Sequence, residues 1–467
     1  MNNALHKDLA RLTLLAERAA QAAPRDPWRP GLHLAPPTGW LNDPNGLCFF
    51  RGEYHVFFQY APFDAGGGVK LWGHCKSRDL LSWERCPAML YPDQPFDLHG
   101  AYSGSALCEE DGMYLFYTGS VKLHGDYDYI RAGRENNTVL AYSPDGIHAA
   151  WKRPLLRNED YPAGLSCHVR DPKVWKQDGR YYMVLGARSL EDAGEVLVFE
   201  SEDRLDWRHI NTLRTPEAFG YMWECPDLFQ VDGQWFLMVS PQGVQKTGPG
   251  FENQYACGCF PLYGDFRGEC GLGEFVPLDF GFDFYAAQTF WDGKRRLLMG
   301  WMGMPDADYH NPTVEAGWQH CLTQLRELSV RDGRLLTRPV PELERLRGAR
   351  REWVLSAERA MELPPMADIL ITCGGSLSLE LPGLRLETVD GGLALSIHKG
   401  GRGARTAPID EIRELRILMD TSALEIFVNG GEAVLTTRWY LPQGERRLLM
   451  GRGGRAVAYA MRPLQVR

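Results

Sequence analysis

Long apolar runs are missing from this 467-residue chain: no stretch approaches the roughly eighteen residues that a membrane-spanning helix requires, so a membrane partner is not expected. Basic runs are missing too. With a net charge of -9, the chain offers no clustered Lys and Arg surface for a phosphate backbone, which argues against nucleic acid. The 11 cysteines are odd in number and scattered, with only Cys257 and Cys259 close together. That pattern supplies neither a disulfide framework nor a zinc spacing, and free thiols fit a reducing cytosol, so a cytoplasmic protein is expected. Consistent with this, Asp8, Arg11, Glu17, Arg18 and Arg25 interrupt the first thirty positions, where a secretory signal would need an unbroken apolar core. The sequon Asn136-Asn137-Thr138 is then accidental. No Asp-x-Asp-x-Asp-Gly loop or histidine cluster occurs, so neither metal nor cofactor is expected.

What is present is the composition of a globular protein, 44% hydrophobic and 24% charged, with 50 glycines and 11% aromatics. The length favours a large domain and a smaller one. Leu5, Leu9, Leu12, Leu15, Ala16 and Ala19 recur at helical intervals, which predicts an amphipathic helix over 4–22 ending before Pro24. After Pro30 the texture changes to short runs of Tyr, Phe, Val and Trp between Gly, Asp and Pro, an all-β signature.

A weak repeat runs through that region. Gly52, Gly112, Gly179, Gly233 and Gly293 each precede an apolar or aromatic run and recur at intervals of about sixty residues. Asp79 to Trp83, Asp145 to Trp151 and Asp203 to Trp207 form a second marker, in the first three units. Five such units predict a five-bladed β-propeller over 31–340, preceded by the helical segment 1–30. A short linking helix closed by Gly348 is expected within a linker 341–355, and alternating strands such as Leu424-Glu425-Ile426-Phe427-Val428 predict a C-terminal β-sandwich over 356–467.

In a propeller the innermost strand of each blade lines the central channel, so residues at its start converge at one mouth. Eight or nine positions before the repeat glycines stand Asp43, Ser103, Asp171 and Glu224. Three converging carboxylates suit glycoside hydrolysis, in which one is nucleophile, one is acid and base, and an oxocarbenium-like transition state needs nearby negative charge. Pro44 and Gly46 hold Asp43 in a tight turn. Arg170 beside Asp171 would keep that carboxylate ionised, and Trp223 and Cys225 around Glu224 would give it the less polar setting that a general acid needs. His74, following Trp72 and Gly73 on a strand, reads as a hydrogen-bonded wall residue, and Cys225 has no histidine and oxyanion arrangement that would make it a nucleophile.

Seven ordered motifs then carry a resemblance: Trp40-Leu41-Asn42-Asp43-Pro44-Asn45-Gly46, Phe57-Phe58-Gln59-Tyr60, Trp72-Gly73-His74, Tyr102-Ser103-Gly104-Ser105, Arg170-Asp171-Pro172, Trp223-Glu224-Cys225-Pro226-Asp227 and Asp283-Phe284-Tyr285-Ala286-Ala287-Gln288. In order, they resemble the signatures of glycoside hydrolase family 32, which contains invertases, sucrose-6-phosphate hydrolases, inulinases and levanases. The likeness runs from about His33 through Arg338, and Ile417 to Trp439 resembles the sandwich that follows. It implies Asp43 as the nucleophile forming a covalent fructosyl-enzyme, Glu224 as acid and then base, and Asp171 as the transition-state stabiliser gripping fructofuranose hydroxyls. Asn42, Gln59, Trp72, Tyr102, Ser103 and Arg170 resemble the rest of the pocket, with Asp283 and Tyr285 near the acid. A nucleophilic mechanism implies retention, with the two reacting carboxyls roughly 5 to 6 Å apart.

Two departures stand out: Gly67-Gly68 replaces a frequent Trp-Gly, so one aromatic wall is missing or supplied from elsewhere, and Ala61 stands where Asn is common. The resemblance is strongest to intracellular enzymes that hydrolyse sucrose or sucrose 6-phosphate, so a small sugar is the expected partner. A phosphate on it would need cations, for which Lys122, His124, Arg131 and Arg134 are available. A hydrolase of short fructo-oligosaccharides, another propeller glycosidase such as an arabinan-degrading enzyme, and a noncatalytic sugar- or protein-binding platform remain open alternatives.

Overall fold

The computed structural model describes residues 3–24, 26–398 and 402–467. Helix α1, Ala4–Ala22, begins where the Asn3 side chain accepts the His6 N–H at 2.7 Å, satisfying one of the free donors of its first turn. It lies across the first propeller blade. His6 Nδ1 contacts Asp93 at 2.8 Å, and Tyr60 donates to Glu17 at 3.0 Å.

Sixteen strands build the next part of the chain: β1 Gly39–Phe50, β2 Glu53–Ala61, β3 Leu71–Ser77, β4 Ser82–Leu90, β5 Gly100–Cys108, β6 Met113–Lys122, β7 Arg134–Ser143, β8 Trp151–Leu156, β9 Leu165–Gln177, β10 Arg180–Ser189, β11 Gly194–Ser201, β12 Arg208–Leu213, β13 Met222–Val231, β14 Gln234–Gln242, β15 Gly258–Gly264 and β16 Cys270–Leu272. Each consecutive group of four forms one antiparallel meander. The repeat glycines are the hairpin turns between the first two strands of a blade. Arg51-Gly52, Asp178-Gly179 and Asp232-Gly233 all have both residues at positive φ, the conformation whose twist matches that of the flanking strands.

The second strands of the blades read as continuous apolar runs because neighbouring sheets cover both faces. Phe57, Trp72, Leu115, Tyr117 and Val139 fill the layer between the first and second blades. Phe116, Leu140, Met183, Leu185 and Leu197 fill the next, and Val184, Val198, Trp223, Leu237 and Phe260 the one after.

The expectation of five blades is corrected to four. The fifth repeat does form a sheet, whose first strand, Tyr285–Trp291, lies against β1 and β13 and so closes the ring. Its main strands follow one another in antiparallel order, but their meander is interrupted in the middle and carries an additional short strand. The hairpin Tyr285–Trp291 with Arg296–Met302 and the hairpin Arg326–Arg331 with Arg334–Pro339 are joined only at Leu297↔Glu327 and Leu298↔Arg326. Between them, residues 303–317 contain Pro305 and Pro312, Gly303 and Gly317, which cannot sustain a ladder. Trp318–Gln319 instead pairs in parallel with β1. The repeated glycine therefore marked a hairpin, and a hairpin does not by itself specify a blade.

The all-β class and the C-terminal sandwich are as expected. The linking segment is a single 3-10 turn, Pro341–Leu346, and Arg347–Val354 already pairs with the long strand Leu448–Met461. A second strand of similar length, Ala367–Leu381, pairs with it, and the sandwich core is aliphatic, with Ile369, Leu377, Leu393, Ile426 and Leu435 fully buried. The chain ends by returning to the propeller, where Gln465–Val466 adds in parallel to β4 and covers the blade's outer edge.

A wholly buried charge network joins the two domains. Arg326 donates to Glu425 at 2.7 Å and to Asp279 at 3.1 Å, while His33 reaches Asp420 at 2.8 Å and Glu425 at 3.1 Å. Burial works against a charged imidazole, yet the two carboxylates raise the His33 pKa to about 9. Removing one partner would leave the other charges buried and uncompensated, a loss of about 3–5 kcal/mol. Glu425→Gln is therefore expected to lower stability by that order in a urea titration at pH 7.

Candidate active site

The site is built by a register slip that recurs in the innermost strand of each of the four blades and in the first strand of the fifth sheet. Leu41 and Pro44 pair with Tyr60 and Phe58, so Asn42-Asp43 together oppose Gln59 alone. The same two-against-one arrangement inserts Tyr102-Ser103, Asp171-Pro172, Cys225-Pro226 and Ala286-Ala287 in the other four sheets. Such bulges bend a strand and re-aim its side chains. Asp171, Cys225 and Ala286 adopt φ of +65°, +47° and +50°, which only the surrounding packing holds in place for residues with a Cβ.

The carboxylates occupy three different places on this motif. Asp43 and Ser103 are second in their bulges, Asp171 is first, and Glu224 precedes its bulge, as do Arg170 and Tyr285 in theirs. The bulges of the third and fourth sheets lie nearer their hairpin glycines, so the spacing to the glycine stays at eight or nine residues despite these different places.

Matching positions on neighbouring sheets bond to one another. Ser103 Oγ donates to Asp43 Oδ2 at 2.5 Å, and Asn42 Nδ2 to Asp43 Oδ1 at 3.0 Å. Arg170 donates through Nη2 to Glu224 Oε1 at 2.8 Å, and Tyr285 donates to Glu224 Oε2 at 2.7 Å. Residues facing the bulges lock the arrangement from behind: Gln59 Nε2 donates to Ser103 Oγ at 2.7 Å, and Thr118 Oγ1 accepts the Asp171 N–H at 2.8 Å.

Cys225 ties the three acids together. It follows Glu224 in the chain, its N–H donates to Asp171 Oδ2 at 2.9 Å, and its Sγ lies 3.7 Å from Asp43 Oδ2. Asp43 and Asp171 thus meet at Cys225, and the Glu224 charge acts on both.

Burial raises the Asp43 pKa; Ser103 and Asn42 oppose the rise and the Glu224 charge adds to it. Burial also pushes Asp171 up, to about 7, against the pull of Arg170 and with the help of Glu224 and Asp43. The expectation that Arg170 holds Asp171 ionised is thereby corrected: the guanidinium is spent on Glu224, and its Nε stands 3.9 Å from Asp171. Nor is the setting of Glu224 apolar. Trp223 turns into the core to donate to the Phe219 carbonyl, and Cys225 faces Asp43, so the Glu224 carboxylate meets Arg170 and Tyr285.

The architecture and these motifs agree with comparisons to known proteins. Residues 33–339 match the Glycosyl hydrolases family 32 N-terminal domain and residues 393–452 the Glycosyl hydrolases family 32 C terminal. The chain belongs to glycoside hydrolase family 32. It is 37% identical over 462 residues to the sucrose-6-phosphate hydrolase of Bacillus subtilis, covering 94% of this chain and 95% of the relative. A Bombyx mori GH32 beta-fructofuranosidase superposes with a TM-score of 0.88 at 29% identity, covering 99% of both chains. The sucrose-6-phosphate hydrolase of Lactobacillus gasseri gives 0.86 at 28%, covering 97% of each.

As a family 32 glycoside hydrolase, the chain shows where each expected site residue lies. Asp43, Asp171, Glu224, Asn42, Ser103, Arg170 and Tyr285 form the bonded cluster, with Gln59 behind it. Tyr102 is half-buried beside Ser103. Trp72 is fully buried and supports the wall by donating to the Tyr102 carbonyl at 3.0 Å. Asp283 faces the sandwich instead, bonding Arg402 at 2.6 Å and the Arg438 N–H at 2.7 Å. His74 is a core residue stacked on Phe57 and 3.0 Å from His55.

Three groups escaped the sequence reading. Lys70 places its Nζ 4.8 Å from the Trp40 ring; burial lowers its pKa to about 8 against the attraction of Asp43. This cation lies 3.8 Å from where a Cβ on Gly67 would stand, the position where the missing tryptophan was noted. His168 contacts Arg170, and Thr118 anchors Asp171. None lies in a distinctive motif, and only the bulges bring them in.

The raised Asp171 pKa has a stability consequence. An unfolded Asp releases its proton near pH 4 and the folded one near pH 7, so wild-type stability falls across that window and is level above it. Asp171→Asn removes the penalty, which amounts to roughly 4 kcal/mol at most. The variant is expected to gain Tm relative to wild type progressively from pH 4 to pH 7, as calorimetry at a series of pH values would show; a constant difference would contradict the assignment.

Proposed function

We propose that this family 32 enzyme is a retaining β-fructofuranosidase that cleaves the fructosyl bond of sucrose or sucrose 6-phosphate in the cytosol. The observation that carries the reading is the convergence of Asp43, Asp171 and Glu224 around Cys225, with separate donors fixing Asp43 and Glu224. The Glu224 charge acts on Asp43, and a nucleophilic route requires these two acids to stand closer than an inverting pair, which leaves room for water. In support, a Bombyx mori GH32 beta-fructofuranosidase variant was solved in complex with sucrose, at 28% identity to this chain and a TM-score of 0.87. The cytosolic setting draws on the thiols, which are all free.

In this mechanism Asp43 attacks the anomeric carbon of the fructofuranosyl unit while Glu224 protonates the departing glycosidic oxygen. Ser103 and Asn42 hold the Asp43 oxygens in line, which lowers the orientational part of the barrier. Asp171 accepts hydrogen bonds from ring hydroxyls as positive charge builds on the sugar. Glu224 then takes a proton from water, which releases fructose from Asp43.

Asp43→Ala is expected to lower kcat on sucrose by at least about ten-thousandfold, because the covalent route is lost. Glu224→Gln should lose about a hundred- to ten-thousandfold, the range of general acid–base catalysis. Intact-mass analysis of Glu224→Gln quenched during turnover should find one fructosyl unit, located by peptide mapping on Asp43. An adduct on another residue, or full activity in Asp43→Ala, would refute the reading.

A further inference from the structure

The sequence leaves open which of Lys122, His124, Arg131 and Arg134 could meet a phosphate, and the structure separates them. Lys122 and His124 are exposed, and Arg131 is engaged with Asp192 at 3.3 Å. Arg134, the first residue of β7, is half-buried. Its Nε donates to the Tyr129 carbonyl at 3.0 Å, and among the described residues it forms no ion pair with a carboxylate. Burial and then the neighbouring Arg170 charge lower its pKa, as expected for a cation short of compensation.

Beside it stands His168. Its Nδ1 lies 2.5 Å from Arg170 Nη1. A guanidinium has only donors, so Nδ1 must accept and the ring proton must sit on Nε2. That Nε2–H is buried and, among the described residues, meets no acceptor in good hydrogen-bond geometry; the nearby Tyr129 carbonyl acts on the ring but already takes the Arg134 Nε–H. Protonation of the ring offers no escape, because burial and the charges of Arg170, Arg134 and Arg188 hold its pKa at about 2. An orphaned donor and an uncompensated guanidinium therefore flank Arg170. Since Arg170 grips Glu224, which would protonate the leaving oxygen, this is the side on which the leaving sugar would sit.

Resting on the β-fructofuranosidase reading, we propose that Arg134 and His168 form a leaving-group subsite that binds the phosphate of a sugar 6-phosphate. A phosphate monoester carries nearly two negative charges and only acceptor oxygens at neutral pH. It satisfies the His168 Nε2–H and neutralises the repulsion between Arg134 and Arg170. A sugar hydroxyl does the first and not the second. Arg188 is already paired with Asp192 at 2.7 Å and adds only long-range attraction.

The test is the ratio of kcat/KM for sucrose 6-phosphate to that for sucrose, measured on the full chain and its variants. The wild-type ratio should exceed ten. Arg134→Gln should reduce it at least tenfold and His168→Phe at least threefold, with the inhibition constant for glucose 6-phosphate rising in parallel. Arg134→Lys, which keeps the charge, should recover part of the preference and serves if Arg134→Gln does not fold. Lys122→Gln and Arg131→Gln should change the ratio less than twofold. A wild-type ratio near one, an unchanged ratio in both subsite variants, or an equal loss in Lys122→Gln or Arg131→Gln would overturn the proposal. Absence of hydrolysis of either sugar by wild type would instead overturn the functional reading beneath it.

Discussion

The register slip of the innermost strands is the constraint on which the site depends. A regular strand alternates its side chains between faces, so it can present only every second residue to the channel. One extra residue opposite Gln59, Thr118, Leu185, Val239 or Gly300 breaks the alternation at the same level of each sheet. Consecutive residues can then serve different ends: Glu224 meets Arg170 and Tyr285, and Cys225 meets Asp43 and Asp171. The left-handed backbone at Asp171 and Cys225 costs on the order of 1–3 kcal/mol per residue, which the packed sheets must offset.

The electrostatics follow from that geometry. The charges of the three carboxylates act on one another, and among the described residues Arg170 is the guanidinium paired with them. Arg170 can pair closely with a single acid, and it pairs with Glu224. Burial raises the Asp171 pKa, and one backbone donor and a guanidinium 3.9 Å away do not offset it. Sequence adjacency between Arg170 and Asp171 pointed to the opposite pairing. Neighbours on a strand face different ways, so adjacency in the chain is poor evidence of contact.

Much of the site was nonetheless legible. Asp43, Asp171 and Glu224 could be located because hairpin turns leave a clear glycine signal, and eight or nine residues back from such a turn the strand reaches the channel. The same signal failed for the blade count, since Gly293 announces a hairpin and says nothing of the interrupted pairing after Met302. Residues whose roles rest on contacts between blades were illegible for a different reason. Thr118, Lys70 and His168 are ordinary residues on ordinary strands, and their partners come from distant segments. Asp283 shows the converse: its motif drew attention, yet its bonds reach the sandwich.

That last placement links the second domain to the chemistry. Asp283 binds Arg402 and the Arg438 backbone in the sandwich, and two residues later Tyr285 donates to Glu224. On a strand, residues two apart point to the same face, but the turn before Tyr285 lets Asp283 look outward while Tyr285 looks inward. The strand carrying Tyr285 belongs to the irregular fifth sheet, the one with the weakest internal pairing. A sheet held by two register pairs across its middle needs support from outside, and the sandwich supplies it through Asp283 at one end and the Arg326 network at the other. The C-terminal domain thus reaches Glu224 through Tyr285, by fixing the strand that holds it.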